Sequence, residues 1–209
     1  MRRTLLTIAV TAGLTSMLQA QEFGLNKGDI LLEGQINIHS SKDKNADLKN
    51  SHFGFSPKVG YFLSDKFAIG VDLGILKINK EELGANNNIF KSKYNEYKVG
   101  AFGRYYFLNI GERFKAYSEL NAAYLNGKIT MAAGYDDVKS NHFAAKAGIG
   151  ANFFLTKNVA LGYSFGDVIG FNTTKIGEDG TKSRNNFYMN VNSFNNFFET
   201  GQFSLTFKL

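Results

Sequence analysis

The stretch Gly201-Gln202-Phe203-Ser204-Leu205-Thr206-Phe207-Lys208-Leu209 decides the fold. In an extended chain, its Phe and Leu side chains point to one side, while Gln, Ser, Thr and Lys point to the other. A strand that is apolar on one face and polar on the other fits a closed barrel whose exterior contacts lipid. The same alternation recurs along the chain, so the prediction does not depend on this stretch alone.

Seven earlier segments show the same alternation. In the third of them, Phe67, Ile69, Val71, Leu73 and Ile75 alternate with Gly70, Asp72 and Gly74. The other six cover approximately residues 29–39, 52–62, 94–107, 114–126, 142–155 and 159–166. Most are long enough to cross a bilayer as tilted strands. The sequence therefore predicts an all-β fold, an eight-stranded antiparallel up-and-down transmembrane β-barrel.

The connections between these segments alternate in length. Short turns surround Asp65, Gly111 and Lys157. Long connections, rich in Asn, Lys, Asp and Gly, occupy residues 40–51, 79–93, 127–141 and 167–196. Short turns on one side and long loops on the other are typical of barrels with periplasmic turns and extracellular loops.

Two places fit this pattern poorly. Pro57 lies within a strand and lacks a backbone N–H, so a β-bulge is expected there. Residues 186–198 alternate on their own. They either extend strand eight above the membrane or form a separate hairpin in the fourth loop.

The first twenty residues, 1–20, read as a secretory signal peptide, which leaves 21–209 as the barrel domain. Arg2 and Arg3 precede an apolar run from Leu5 to Leu18, and Ala20 offers a cleavage point. Removal of the two arginines changes the net charge from +6 to 6 − 2 = +4. The absence of cysteine excludes disulfides and thiol chemistry. The basic residues form no stripe that suggests nucleic acid as a partner.

Several motifs resemble the small outer-membrane β-barrel family, which includes the barrel domain of outer-membrane protein A. They are residues 53–62 (FGFSPKVGYF), 104–107 (RYYF), 148–155 (GIGANFFL), 160–163 (ALGY) and the C-terminal stretch. The resemblance covers essentially the whole chain after the signal peptide. It implies location in the cell outer membrane of a Gram-negative envelope, contact with outer-membrane lipid and lipopolysaccharide, and recognition of the C-terminal strand by the barrel-assembly machinery.

The inward faces of strands one to five each carry a charge near the middle of the barrel. These residues are Glu33, Lys58, Asp72, Arg104 and Glu119, and their signs alternate. Neighbouring strands lie about 4.8 Å apart, so such charges can pair across the wall. An eight-stranded barrel is only wide enough for side chains to fill it. We therefore expect a salt-bridge network that closes the lumen, although polar lumen residues are usual in barrels.

Chemical motifs are few, and we predict no enzyme activity, no cofactor and no metal site. The three histidines, His39, His52 and His142, are expected at the outer rim. Ser40 and Ser51 flank two of them across a hairpin, and this is the best candidate for a lipid hydrolase pair. A solvated polar rim is the preferred interpretation. A third metal ligand at suitable spacing is missing.

The long loops are the remaining candidate surface for an extracellular partner. The favoured hypothesis is a structural or surface-interaction protein with a lumen filled by side chains. A narrow porin-like channel is the alternative, and a lipid-modifying enzyme at the rim ranks lower. A soluble ligand-carrying barrel is disfavoured, because eight strands leave little interior room for so many Phe and Tyr side chains.

Overall fold

The computed structural model describes residues 23–44, 46–83, 89–131, 136–177, 181–190 and 202–209. The predicted signal peptide lies outside these residues. In this part of the chain, no helix is long and apolar enough to cross a membrane. The strands are β1 (Ile30–Asp43), β2 (Leu48–Ser64), β3 (Phe67–Leu83), β4 (Ile89–Ile110), β5 (Phe114–Met131), β6 (Val138–Phe154), β7 (Val159–Ile176), β8 (Arg184–Met189) and β9 (Gln202–Lys208).

The strands form a closed antiparallel ring. Each strand from β1 to β7 pairs with the next one along the chain. The start of β7, residues 159–164, pairs with β9, and β9 pairs with residues 31–34 of β1. Backbone hydrogen bonds of 2.9 Å in both directions join Ile30 and Leu209 at this closure. The predicted eight-stranded up-and-down barrel is therefore confirmed.

β8 and β9 share the eighth position of the ring. β8 pairs antiparallel with residues 169–174 of β7, and β9 pairs antiparallel with residues 159–164 of the same strand. Both therefore run in the same direction along one side of β7. Of the two interpretations of residues 186–198, the structure supports an eighth strand in two pieces for residues 186–189. Residues 191–198 lie outside the described part of the chain.

The predicted orientation of the faces is also confirmed. Val71, Leu161 and Leu205 on the outer face are 49%, 46% and 41% exposed. On the inner face, Asp72 is only 3% exposed and Thr206 only 1%. A protein with this distribution needs an apolar environment around its exterior, because a contiguous apolar belt of this extent is rare on soluble monomers.

The four long connections were predicted as loops, and for most of their length this prediction is wrong. β1 and β2 pair as far as Asp43 and Leu48, and β3 and β4 pair as far as Leu83 and Ile89. The backbone groups of these polar segments pair with each other above the membrane, which is why the strands continue past the apolar belt. Within the described residues, the extracellular ends of these strands therefore form projecting β-hairpins.

The predicted bulge at Pro57 is also wrong. Ser56 and Pro57 are missing from the β2–β3 ladder, but Phe55 pairs with Ile75 and Lys58 with Asp72, so the register does not change. On the other side, Pro57 pairs with Gly34 of β1. The missing N–H therefore interrupts the ladder on one side without an extra residue. The irregularity of this strand pair lies between Phe62 and Ser64, beside the turn.

The packed core lies inside the periplasmic half of the barrel. Its larger members are Leu31, Phe62, Phe102, Tyr106, Tyr117 and Phe154, all at most 4% exposed. The rings of Phe62 and Tyr106 stack with centroids 5.8 Å apart. The charged residues in the middle of the lumen therefore lie directly on the extracellular side of this core.

Candidate functional site in the lumen

Arg104 is the centre of the charged layer in the lumen. It lies on β4, and its side chain is 1% exposed. Its Nη1 and Nη2 donate to the two carboxylate oxygens of Glu33 on β1, at 2.9 and 3.2 Å. Its Nε donates to Glu119 of β5 at 2.8 Å. The guanidinium is thus held between two carboxylates from different sides of the lumen, in the bidentate geometry that arginine favours.

Lys58 neutralises the remaining charge of this layer. Its Nζ donates a short hydrogen bond to Glu119 and lies 4.0 Å from Glu33. The cluster of Glu33, Lys58, Arg104 and Glu119 therefore contains equal numbers of acids and bases. We call these four residues the central cluster.

Asp72, the fifth residue predicted for the network, has different partners. Its carboxylate forms an ion pair with Lys98 at 2.8 Å and accepts a hydrogen bond from Asn121, also at 2.8 Å. Lys98 is on the strand next to Asp72, so this pair follows the wall, whereas Arg104 reaches Glu33 across the lumen. Asp72 is therefore part of a second group beside the central cluster.

A chain of neutral side chains, which the sequence analysis did not identify, completes the layer. Arg104 donates to the hydroxyl of Tyr106 at 3.4 Å, and Tyr106 donates to Asn152 at 2.9 Å. Asn152 donates to Thr206 at 3.1 Å, and Thr206 donates to Glu33 at 3.3 Å. These bonds connect strands on all sides of the lumen. The only feature of the sequence that could have indicated these residues is that each occupies an inward-facing position of its strand.

Aromatic rings fill the space around the guanidinium. Arg104 lies 3.9 Å from the ring centroid of Tyr117 and 5.6 Å from that of Phe102. Glycines make room for both rings. A Cβ at Gly150 would lie 2.5 Å from the Tyr117 ring, and one at Gly70 would lie 2.8 Å from the Phe102 ring and only 2.0 Å from the backbone oxygen of Val59. The absence of side chains at these two positions lets the lumen close around the cluster.

The periplasmic mouth is covered by the segment that precedes β1. Leu25 is 6% exposed and joins the core, with Phe23 packed beside it. Lys208 donates to the backbone oxygen of Gly24 at 2.7 Å, and the backbone N–H of Lys27 donates to Asp65 at 2.8 Å. The lumen is thus obstructed at two levels, by the central cluster and by this cap.

The extracellular half of the lumen contains a polar cavity of about 510 Å³. Lys98 and Asp72 border it on one side. Lys146 and Asp167 border it on the other and form an ion pair of 2.7 Å. Their side chains are 42% and 36% exposed, in contrast to the buried Arg104. The cavity ends at the central cluster.

The histidines do not assemble the candidate hydrolase pair. His39 pairs with His52 across the β1–β2 hairpin, and Ser40 pairs with Ser51 on the next rung. Because successive side chains alternate between faces, the histidines and the serines lie on opposite faces of the sheet. His142 lies on β6, where its Nδ1 is 2.6 Å from the hydroxyl of Thr174. Among the described residues, no group of three or more His, Cys, Asp or Glu side chains is arranged to hold a metal ion.

Ion pairs also stabilise the tips of the hairpins outside the membrane. Lys42 and Asp47 lie 2.8 Å apart. Their hydrogen bond raises the pKa of Lys42 and lowers the pKa of Asp47. On the next hairpin, the hydrogen bond with Glu81 raises the pKa of Lys91. All three groups therefore remain charged at neutral pH.

The fold and its lumen define a small transmembrane β-barrel of the outer-membrane type. Over residues 6–198 the chain matches the family of outer membrane protein β-barrel domains, and it belongs to that family. Its location is the outer membrane. No curated protein matches the sequence.

Solved structures of similar fold are also outer-membrane barrels. Outer membrane protein OprG from Pseudomonas aeruginosa is 12% identical, with a TM-score of 0.55 over 89% of this chain and 98% of its own. A major outer membrane protein from Thermus thermophilus is 11% identical, with a TM-score of 0.46 over 87% and 99%. Neisserial surface protein A is 16% identical, with a TM-score of 0.45 over 87% and 96%. At these identities, the similarity to OprG supports the fold alone.

Proposed function

We propose that this protein is a closed outer-membrane barrel that acts through its outer surfaces and does not conduct solutes. The observation that carries the proposal is the position of Arg104, which bridges Glu33 and Glu119 from opposite sides of the lumen. A solute would have to separate these charges, whose side chains are almost completely buried. Such a separation is costly because each buried charge would lose its partner.

The cap at the periplasmic mouth supports the same function. Opening the central cluster alone would not connect the two sides of the membrane, since Leu25 and the aromatic core lie below it. The proposed closure therefore does not depend on a single barrier. The central cluster and the cap would have to move together before ions could cross.

Planar-bilayer recording of the refolded protein tests this proposal. We expect no stable channels from preparations in which heat-modifiability on gels shows the protein to be folded. Large, stable channels of nanosiemens scale would contradict it. A variant in which Leu25 and Tyr117 are both replaced by alanine is the useful comparison, because it removes one side chain from the cap and one that packs against Arg104 of the central cluster. Weak conductance confined to that variant would support closure by side chains.

A narrow channel is the second candidate, and the polar cavity of about 510 Å³ is the observation that favours it. The cavity provides a water-accessible entrance from the extracellular side, and a channel would also need a path past Arg104 and past the cap at the periplasmic mouth. Small, stable conductance steps in the wild type that become larger in Arg104→Ala would favour this candidate. No conductance in either protein favours the closed barrel.

The projecting hairpins are the surface that we propose for contacts outside the cell. β3 continues from Ile75, after which Lys77 interrupts the apolar run of its outer face, to Leu83, which is roughly 25 Å of strand. Deletion of residues 81–91 would shorten the β3–β4 hairpin and leave its paired base intact. We expect this deletion to preserve heat-modifiability and to reduce attachment of expressing cells to matrix-coated surfaces. Unchanged attachment would contradict a role for this hairpin.

A further inference from the structure

The polar cavity in the extracellular half of the lumen is reached from the extracellular side and ends at the central cluster. Its volume of about 510 Å³ lies within the range of about 300–1,000 Å³ that is usual for small-molecule sites. The aromatic core and the cap lie beyond the cluster. A molecule that enters this cavity is therefore in contact with its lining, and the chemistry of the lining indicates which class of molecule fits.

Every charged side chain in the described lining of the cavity has a partner of opposite charge. Asp72 and Lys98 form an ion pair of 2.8 Å, and Lys146 and Asp167 form one of 2.7 Å. The charged residues of the central cluster that border the cavity pair within that cluster. A ligand with a net charge would therefore bring a charge for which the cavity has no free partner, and enclosing such a charge is costly. The lining favours an uncharged ligand.

The cavity wall contains a β-bulge at the residue that supplies one of these charges. Gly150 of β6 pairs with Ser164 of β7, whereas Gly148, two residues earlier on β6, pairs with residue 167. β7 therefore contains one extra residue between these two rungs. Gly166 lies in the bulge with a φ of 87°, a conformation that favours glycine. Bulges redirect side chains, and this one turns Asp167 into the lumen, where it lines the cavity.

Two neutral side chains of the lining form no hydrogen bond within the described ranges. One is Tyr117, which is 3% exposed and whose ring packs against Arg104. The other is Gln35, a half-buried inward residue of β1. Buried polar groups are nearly always hydrogen-bonded, and a phenol or an amide can both donate and accept. The cavity therefore offers hydrogen-bonding groups to a molecule that enters it.

Hydroxyl groups match this lining best. The carboxylates of the two ion pairs only accept hydrogen bonds, and the ammonium groups only donate them, whereas a hydroxyl does both. An uncharged molecule with several neighbouring hydroxyls can therefore bond to both members of each ion pair without separating them. Neighbouring hydroxyls on an uncharged frame are the defining feature of saccharides.

We propose that this cavity binds an uncharged saccharide from outside the cell. Tyr117, Gln35 and the two ion pairs Asp72–Lys98 and Lys146–Asp167 supply the hydrogen bonds. The proposal goes beyond the closed barrel proposed above, because the bound saccharide does not cross the membrane. Conductance tests the closure below the cavity, and saccharide binding tests the cavity itself, so either proposal can fail alone.

Saturation-transfer difference NMR of the refolded protein tests the proposal. The probes are glucose, galactose, mannose, maltose and lactose. The micelles consist of lauryldimethylamine oxide, because detergents with glucoside or maltoside headgroups would compete. We expect saturable binding of at least one probe. The charged counterparts glucuronate, galacturonate, glucosamine and galactosamine should bind at least about fivefold more weakly.

Two matched pairs of variants locate the binding. Ala144, which is 3% exposed, lines the cavity, and Ala145 is the next residue of β6 and points to the opposite face. Ala144→Leu should abolish saturable binding, and Ala145→Leu should preserve it. Tyr117→Phe should weaken binding about two- to tenfold, the effect of one lost hydrogen bond. Tyr97→Phe, on the outer face with 61% exposure, should leave it unchanged.

Asp167→Asn tests the selection by charge. It leaves Lys146 without its partner, so the acidic probes should now bind better than the uncharged ones. Absence of saturable binding in the wild type, equal binding by Ala144→Leu, or tighter binding of a charged counterpart to the wild type would each overturn the proposal. If Ala144→Leu does not fold, Tyr117→Phe decides, because it removes a single oxygen atom, and unchanged affinity in that variant would contradict the site.

Discussion

The two halves of the lumen are enclosed by the same strands but differ in how completely side chains fill them. In the periplasmic half, the central cluster and the aromatic core fill the barrel, and Arg104 is 1% exposed. In the extracellular half, the charges surround a polar cavity, and Lys146 is 42% exposed. The number of strands is the same throughout. The difference therefore comes from side-chain volume and from the partners of each charge, and it predicts very different costs for similar substitutions.

Arg104→Ala should have the largest effect. It leaves the carboxylates of Glu33 and Glu119 buried beside a single lysine, and removal of one partner from a buried pair costs about 3–5 kcal/mol. We expect the free energy of unfolding in micelles to fall by this amount. Urea titration followed by circular dichroism, together with the midpoint of the heat-induced gel shift, measures it.

Two further variants test whether the loss of stability in Arg104→Ala comes from the buried carboxylates that are left without a partner. Arg113→Ala removes an exposed arginine that lies over the ring of Phe23, 4.6 Å from its centroid, and should cost about 1 kcal/mol or less. Arg104→Met combined with Glu33→Gln should be less destabilised than Arg104→Met alone, because fewer charges are left unpaired. A gel-shift midpoint unchanged in Arg104→Ala would show that the central cluster does not stabilise the barrel.

Gly150→Ala should have the next largest effect. The new Cβ would lie 2.5 Å from the ring of Tyr117 and 2.7 Å from the backbone oxygen of Tyr163, and the oxygen cannot move without the wall. Overpacking of this kind costs about 1–3 kcal/mol. The same urea titration measures it.

Gly34→Ala is the matched control for this substitution. The nearest atom to its new Cβ is on the Phe55 ring at 3.9 Å, an ordinary contact. We expect a change within about 0.5 kcal/mol. If the two alanines are equally tolerated, the periplasmic half is less tightly packed than its contacts indicate.

The sequence could predict which side chains face the lipid and which face the lumen, because successive side chains of a strand point to opposite faces. Val71 and Asp72 are adjacent and lie on opposite faces, as the alternation predicts. The extent of the strands could not be predicted in this way. Beyond the membrane, polar residues occupy most positions of both faces, so the pattern no longer separates a hairpin from a loop, as residues 79–93 show.

The sequence predicted which charged residues face the lumen but not which of them form ion pairs with each other. Alternation placed Glu33, Lys58, Asp72, Arg104 and Glu119 on the inner face, and the structure buries all five at least partly. Contacts across a lumen depend on the tilt of the strands and on side-chain length, and a linear sequence specifies neither. For this reason, the partner of Arg104 on β1 and the partner of Asp72 on β4 emerge only from the three-dimensional arrangement.

Asp167→Asn should have the smallest effect, although it also breaks an ion pair inside the barrel. Lys146 and Asp167 lie 2.7 Å apart, but both side chains face the polar cavity and are substantially exposed. Ion pairs in contact with water contribute about 0–1 kcal/mol, and salt weakens them further. We expect a loss below about 1 kcal/mol in low salt that disappears in about 1 M NaCl. A loss as large as that of Arg104→Ala, and insensitive to salt, would show that the extracellular half is as dry as the periplasmic half, and the contrast between the halves would be wrong.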